Sequence, residues 1–251
     1  MTDEQLLIAS KQIVVPGETL AKGMGYLPGN GTYREGDEIK AGRLGLASVE
    51  GRALKLIPLS GRYLPKTGDV IVGKVIDVNL SGWRIDTNSA YSALLSLKDG
   101  TTDFVARGAD LTKYYQIGDY VSCKIINVTS QKLVDLSMKG LGLMKLRGGR
   151  ILKVSTNKVP RIIGKAGSMV SMLKQATGAK IVVGQNGMVW IDARPEAEMV
   201  VVAAINKIQA ESHMQGLTDR IKDFLGSFAG KPDGSLKGVS SGSDEKRGEG
   251  E

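Results

Sequence analysis

The spacing of apolar positions changes character along the chain. Up to about residue 140 they come in short runs broken by Gly, Pro, Asn and Asp, a pattern of brief strands and tight turns. Ile13-Val14-Val15 stops at Pro16-Gly17, and Leu27-Pro28-Gly29-Asn30-Gly31-Thr32-Tyr33 is packed with turn formers. Gly42–Val49 and Ala53–Pro58 follow as further strands, so residues 1–65 read as a small β domain. Residues 66–140 repeat the pattern in Asp69–Val78, Trp83–Asp86, Tyr120–Val128 and Leu133–Ser137, with Gly68-Asp69 and Gly118-Asp119 each opening a strand. Five or so strands in that length predict a small closed barrel.

After residue 145 a helical period enters. Arg150–Val154 alternates like a strand, Val159–Ile163 is a short apolar turn, and Gly164-Lys165-Ala166-Gly167 follows. Ser168 is placed to cap a helix over Met169–Ala176 that Gly178 ends, with Met169, Met172, Leu173 and Ala176 as its core stripe. Lys180–Val183 and Met188–Ile191 flank Gly184-Gln185-Asn186-Gly187, where Asn-Gly signals a hairpin. A long helix over Glu196–Met214 completes a βααββα unit over 145–214. A short helix fits within 215–230, about Thr218–Phe228, and 231–251 has almost nothing to bury and reads as disordered. The predicted fold class is multidomain: β-rich, with one α/β unit.

Composition removes several chemistries. The 251 residues include one histidine, His213, and one cysteine, Cys123, which excludes a Cys/His zinc site and a disulfide framework. A Ser-His-Asp mechanism would have to run through His213 alone, which reads as a surface or packing residue; Cys123 reads as a small core residue. No secretory signal is visible, and the longest late apolar run, Met199–Ile205, falls well short of the ~20 residues of a membrane span, so a soluble intracellular protein is expected. The net charge of +8 is concentrated: residues 145–230 hold 13 basic and 6 acidic side chains. Between Asp135 and Asp192 there is no carboxylate among Lys139, Lys145, Arg147, Arg150, Lys153, Lys158, Arg161, Lys165, Lys174 and Lys180. Such a field favours a polyanion, although a solvated basic face has the same composition.

Gly164-Lys165-Ala166-Gly167 is the strongest motif because of its setting between two helices of a βααββα unit. Glycines let a phosphodiester approach the main chain, and the following helix presents N–H groups to an anion. Lys165 sits in the loop with Lys158 and Arg161 just before it; Ile162 and Ile163 could offer bases an apolar floor. The alternative is that Gly164 and Gly167 only shape a helix-turn-helix. The unit resembles a type I KH domain, whose GXXG loop clamps single-stranded RNA. On this reading Gly164→Asp is expected to weaken binding without unfolding the domain.

The preceding segment resembles an S1-type RNA-binding barrel, an OB-fold variant, through Gly68-Asp69, Gly73-Lys74-Val75, Ser81–Asp86, Gly118–Val121 and Asp135–Lys139. In that setting Trp83 and Tyr91 are candidates to stack bases, with Trp83 equally readable as a core aromatic. Arg84 stands where the family often carries Phe, and no His lies near Leu95-Ser96.

Taken whole, Pro28–Tyr33, then the barrel, then a KH unit with Gly184–Gly187 before Trp190-Ile191 resembles the S1–KH cap subunit of the archaeal exosome, the ribosomal-RNA-processing protein four family. The resemblance implies a non-catalytic RNA-binding subunit without metal or cofactor. It implies three cap subunits on a hexameric ring of RNase PH-type subunits that degrades RNA phosphorolytically from the 3′ end. The N-terminal β domain would do much of the docking, the Gly-x-Asn-Gly segment would be a structural hairpin, and the location would be cytoplasmic with no membrane partner. The alternative is a stand-alone S1/KH RNA-binding factor in transcription or translation. A nuclease would need a carboxylate cluster for two metals, and Asp77, Asp86, Asp99, Asp103 and Asp110 have only the spacing of ordinary barrel turns.

Overall fold

The computed structural model describes residues 4–59, 61–101 and 110–229, so the predicted disorder of 231–251 lies outside the described residues. The N-terminal part forms two four-stranded sheets from β1 (Gln5–Leu6), β2 (Ile13–Val14), β3 (Thr19–Lys22), β4 (Leu27–Pro28), β5 (Thr32–Glu35), β6 (Glu38–Ala41), β7 (Gly45–Glu50) and β8 (Ala53–Pro58). Their orders are β1-β3-β6-β5 and β2-β7-β8-β4. Alternation decides which residues go inside: Val14, Ala47, Leu54 and Leu56 point inward with Leu20 and Ile39, while their neighbours Ile13 and Ile57 point out.

The second part is the closed barrel. It comprises β9 (Val70–Asn79), β10 (Gly82–Asp86), β11 (Ser92–Ser96), a one-turn helix α1 (Leu97–Gly100), β12 (Tyr120–Val128) and β13 (Val134–Ser137). The order β13-β11-β10-β9-β12 closes through an antiparallel β12–β13 pair, and β11–β13 is the parallel pair. Its interior holds Ile71, Val75, Ile85, Leu95, Val121, Ile125 and Leu136. Cys123 is among them, its thiol pushed up to about 12 by burial, which leaves it an unreactive core residue.

The linker that follows adds a strand that the sequence pattern does not predict. Lys145–Leu146, assigned from sequence to the next domain, forms β14 and pairs with β12. Lys145 forms an ion pair with Asp119. Burial would raise the Asp119 pKa, but the hydrogen bonds from Lys145 and from the Gln116 backbone N–H outweigh it and hold the carboxyl below its ordinary 3.8. A depressed carboxyl stabilises the fold above its unfolded pKa, and that contribution is lost as pH falls through the folded value. Asp119→Asn should therefore flatten the acid limb of stability below about pH 4, read as melting temperature against pH.

The third part has the predicted βααββα order: β15 (Arg150–Lys153), α2 (Val159–Ile163), α3 (Ser168–Thr177), β16 (Lys180–Val183), β17 (Met188–Asp192) and α4 (Pro195–Ala210). The sheet order is β15-β17-β16. One sheet face carries Ile181, Val189 and Ile191 into a core with Val159, Ile162, Met169, Leu173, Val201 and Ile205 of the helices. The stripe on α3 is narrower than expected, because Ala176 is exposed. The long helix stops at Ala210, four residues before the predicted end, and an amphipathic α5 (Leu217–Ala229) lays Leu217, Ile221 and Leu225 on the same core.

The centre of the other sheet face is covered by the barrel. Met188 and Trp190 pack against Val72 of β9 and Leu146 of β14, and the Trp190 indole N–H donates to Gly148 O at 2.8 Å. Asn186, fully buried at the tip of the β16–β17 hairpin, completes the joint. The β9–β10 ladder ends at the Lys74–Asp86 pair, which leaves Val72 and Thr87 beyond the last rung. The Asn186 carboxamide supplies that rung: Nδ2 donates to Val72 O (2.8 Å) and Thr87 O (2.9 Å), and Oδ1 accepts from Val72 N–H (3.3 Å). The Gln185 N–H donates to Val70 O at 2.8 Å beside it. The Gly-x-Asn-Gly segment is thus a hairpin whose tip belongs to the barrel's hydrogen-bond network.

Candidate nucleic-acid interface

The loop between α2 and α3 is built from left-handed backbone. Gly164 (φ 76°, ψ 171°), Ala166 (φ 51°, ψ 30°) and Gly167 (φ 80°, ψ 10°) turn the chain sharply. Gly167, not Ser168, is the N-cap of α3; Ser168 is already helical, so the expected serine cap is replaced by a left-handed glycine. No side chain caps that end and no acidic residue lies in its first turn; the Ser168 N–H donates back to Lys165 O. Lys165 and Ala166 are exposed on the loop and Arg161 is exposed on α2.

Gly164 is required for a second reason. A Cβ there would meet Met169 N at 2.7 Å and Met169 Cβ at 2.8 Å. Gly164→Asp therefore cannot leave the domain intact, which corrects the sequence-based expectation.

Two other expected contacts move away from the surface. Ile162 is 0% exposed in the core and Ile163 is only partly exposed, so Ile162 offers no floor to a base. Lys158 is half-buried, and its ammonium donates to Gln209 O at 2.7 Å, tying α2 to the end of α4. Of the other cations in the carboxylate-free stretch, Lys145, Arg150 and Lys180 reach Asp119, Glu198 and Asp192. Among the described residues Lys139, Arg147, Lys153, Arg161, Lys165 and Lys174 have no carboxylate within ion-pair distance. The acids meet across folded elements what the sequence separates, and the unpaired charge that remains includes the loop.

On the barrel, Trp83 is 0% exposed. Its indole N–H donates to Tyr115 O at 3.2 Å, and its ring stands edge-on to Tyr115 with centroids 4.9 Å apart. A Cβ on Gly100 would come within 2.6 Å of the indole, so the barrel is shaped around it. Trp83 is a core aromatic with no face free for a base. Arg84 is exposed, in register between Asp77 of β9 and Leu94 of β11, an outer face of mixed charge. Tyr91 is half-exposed in the β10–β11 loop, and its carbonyl accepts from the Thr87 and Ser89 hydroxyls at 2.8 and 2.9 Å.

The acids weighed as a metal cluster are dispersed. Asp77 accepts from Val78 N–H, Asp86 from Asn88 N–H, Asp99 from Ser96, and Asp110 caps a 3₁₀ turn through Thr112; Asp103 lies outside the described residues.

Three family models match in the order of the three folded parts: "Exosome complex exonuclease RRP4 N-terminal region" over residues 13–50, "RRP4, S1 domain" over 62–107 and "KH domain" over 149–197. The exosome complex component Rrp4 of Pyrococcus furiosus is 42% identical over 225 residues, covering 88% of this chain and 85% of the relative. The chain belongs to the Rrp4 family. The Rrp4 of Methanothermus fervidus is 41% identical over 221 residues, covering 88% and 97% of the two chains. A crystal structure assigned to an exosome complex RNA-binding protein superposes with a TM-score of 0.60 at 32% identity, covering 66% of this chain and 97% of that one. The Rrp4 S1 model falls on the barrel around Trp83, and the KH model spans both the loop at Gly164–Gly167 and the hairpin at Asn186. The loop and the interdomain hairpin are thus two separate features of one Rrp4-family KH unit.

Proposed function

We propose that this chain is the non-catalytic RNA-binding cap of an archaeal exosome in the cytoplasm. It captures single-stranded RNA and feeds it to a phosphorolytic ring of six RNase PH-type subunits that carries three such caps. The observation that carries this reading is the GXXG loop: exposed Lys165 and Arg161 beside a helix start with no side-chain cap and no acid in its first turn, in a chain of the Rrp4 family. Capture works by effective concentration. Holding the strand at the mouth of a ring makes each later encounter intramolecular, and this chain needs no reacting group to do it. The scattered carboxylates of the barrel fit a binding role better than two-metal hydrolysis. The test is the native mass of the complex in cell extract. A particle of several hundred kilodaltons, about the mass of a ring with its caps, with phosphate-dependent RNA degradation supports the reading; a free monomer that binds RNA would favour the stand-alone factor.

We assign the three parts distinct tasks: ring docking to 1–65, and RNA contact to the barrel at 66–140 and the KH unit at 145–214, with the helix of 215–230 bracing the latter. Support for docking comes from register. Ile13, Leu46 and Ile57 lie side by side on the outer face of β2, β7 and β8, and Val15, Leu44 and Leu59 continue the same face. Ile13 is 61% and Ile57 55% exposed, a contiguous aliphatic surface of the kind that marks a protein interface. The pair Ile13→Asp and Ile57→Asp should abolish co-purification with the ring while leaving melting temperature and RNA affinity unchanged. Retained ring binding would remove this surface from the docking role.

A further inference from the structure

The linker into the barrel, the barrel's β10–β11 loop and the 3₁₀ turn that leads into α2 (Thr156–Lys158) meet at one seam. The Thr156 hydroxyl donates to Gly61 O at 3.3 Å. Tyr63 forms a parallel bridge with Ser89, and the Asn88 side chain donates to Asn186 O at 3.0 Å. Arg62 lies between the residue that touches the KH unit and the residue that touches the barrel loop. It is exposed and has no carboxylate within ion-pair distance among the described residues. Asn157 is exposed one helical turn before Arg161. The run from Thr156 to Gly164 is about 13 Å by the rises of its 3₁₀ and α residues, a short step for a strand already clamped over about four nucleotides at the loop. Asp86, at the end of β10 before this loop, has one carboxylate oxygen occupied by the Asn88 N–H at 2.9 Å.

We propose that RNA leaving the GXXG loop continues over Arg161 and Asn157 onto this seam, where Arg62 receives a phosphate and half-exposed Tyr91 receives a base. The proposal rests on the RNA reading of the loop and extends it to a composite track that neither domain holds alone. It accounts for a barrel that keeps an aromatic at the seam while its tryptophan lies in the core.

The test uses the full chain and fluorescein-labelled RNAs of about four and about 12 nucleotides, with anisotropy read across a salt series. Arg62→Ala should weaken binding of the longer RNA several-fold and reduce its log–log salt slope by about 0.7, while the short RNA binds as before. Tyr91→Leu should weaken the longer RNA at least about fivefold with the salt slope unchanged. Arg62→Lys should restore the slope. The seam is overturned if Arg62→Ala leaves the longer RNA unaffected, or if it weakens both RNAs equally. Failure of the loop itself gives a different signature: Ala166→Asp would then bind both RNAs like the unmodified chain.

Discussion

Ala166→Asp is expected to lower RNA affinity roughly ten- to hundredfold while leaving thermal stability unchanged. Ala166 is exposed and already left-handed, at φ 51° and ψ 30°. Aspartate adopts that region more readily than alanine, so the backbone is if anything eased. The new carboxylate would sit beside Lys165 at the start of α3, in the place proposed for a phosphate. Removing one charge-assisted hydrogen bond costs about 1.5–3 kcal/mol, and every 1.4 kcal/mol is tenfold. The salt slope should fall by about 0.7 for each phosphate that the loop no longer holds. Ala166→Asn, which keeps the backbone preference without the charge, should bind like the unmodified chain. Equal affinity for the aspartate variant would show that the loop does not carry the anion. Gly164→Asp cannot serve here, because its Cβ would press on the Met169 backbone and any drop in binding would reflect a damaged fold.

The strands are legible in the sequence because a half-buried strand writes its burial as alternation, and the barrel and KH element order follow from that and from the Gly and Asn-Gly turns. The GXXG loop is legible because it is made of consecutive residues. What a residue's chain neighbours do not determine is not legible. Trp83 sits next to exposed Arg84, and only the placement of Tyr115 and Gly100 closes over its indole. Lys158 reads as one more cation before the loop until α4 brings the Gln209 carbonyl to it. Lys145–Leu146 is too short to carry a strand pattern, and its pairing is set by β12. Arg62 carries no sequence signal because its setting depends on Thr156 and Ser89, which are distant along the chain.

Asn186 is the furthest example of this kind, and its replacement should produce the largest loss of stability. In Asn186→Asp the donor that faces Val72 O and Thr87 O at 2.8 and 2.9 Å becomes an acceptor, in a site with no exposure. Two carbonyls lose their partner and a carboxylate is held against them without a cation. At about 1–3 kcal/mol for each unsatisfied group, and more for a charge, the cost at pH 7 should be about 3 kcal/mol or more. The carboxyl would be driven to hold its proton, because the protonated form can still donate to one carbonyl. Its folded pKa then lies above the unfolded one, so the folded state binds the extra proton and stability rises as pH falls. The variant should therefore melt well below the unmodified chain at pH 7 and recover part of the difference near pH 5; the new carboxyl gains stability as pH falls, whereas the contribution of Asp119 is lost. Trp190 packs at this joint, so its fluorescence reports the transition. An unchanged melting temperature at pH 7 would show that the hairpin tip is not what holds the KH sheet on the barrel. A loss identical at both pH values would place the damage in packing around the hairpin and not in the reversed hydrogen bond.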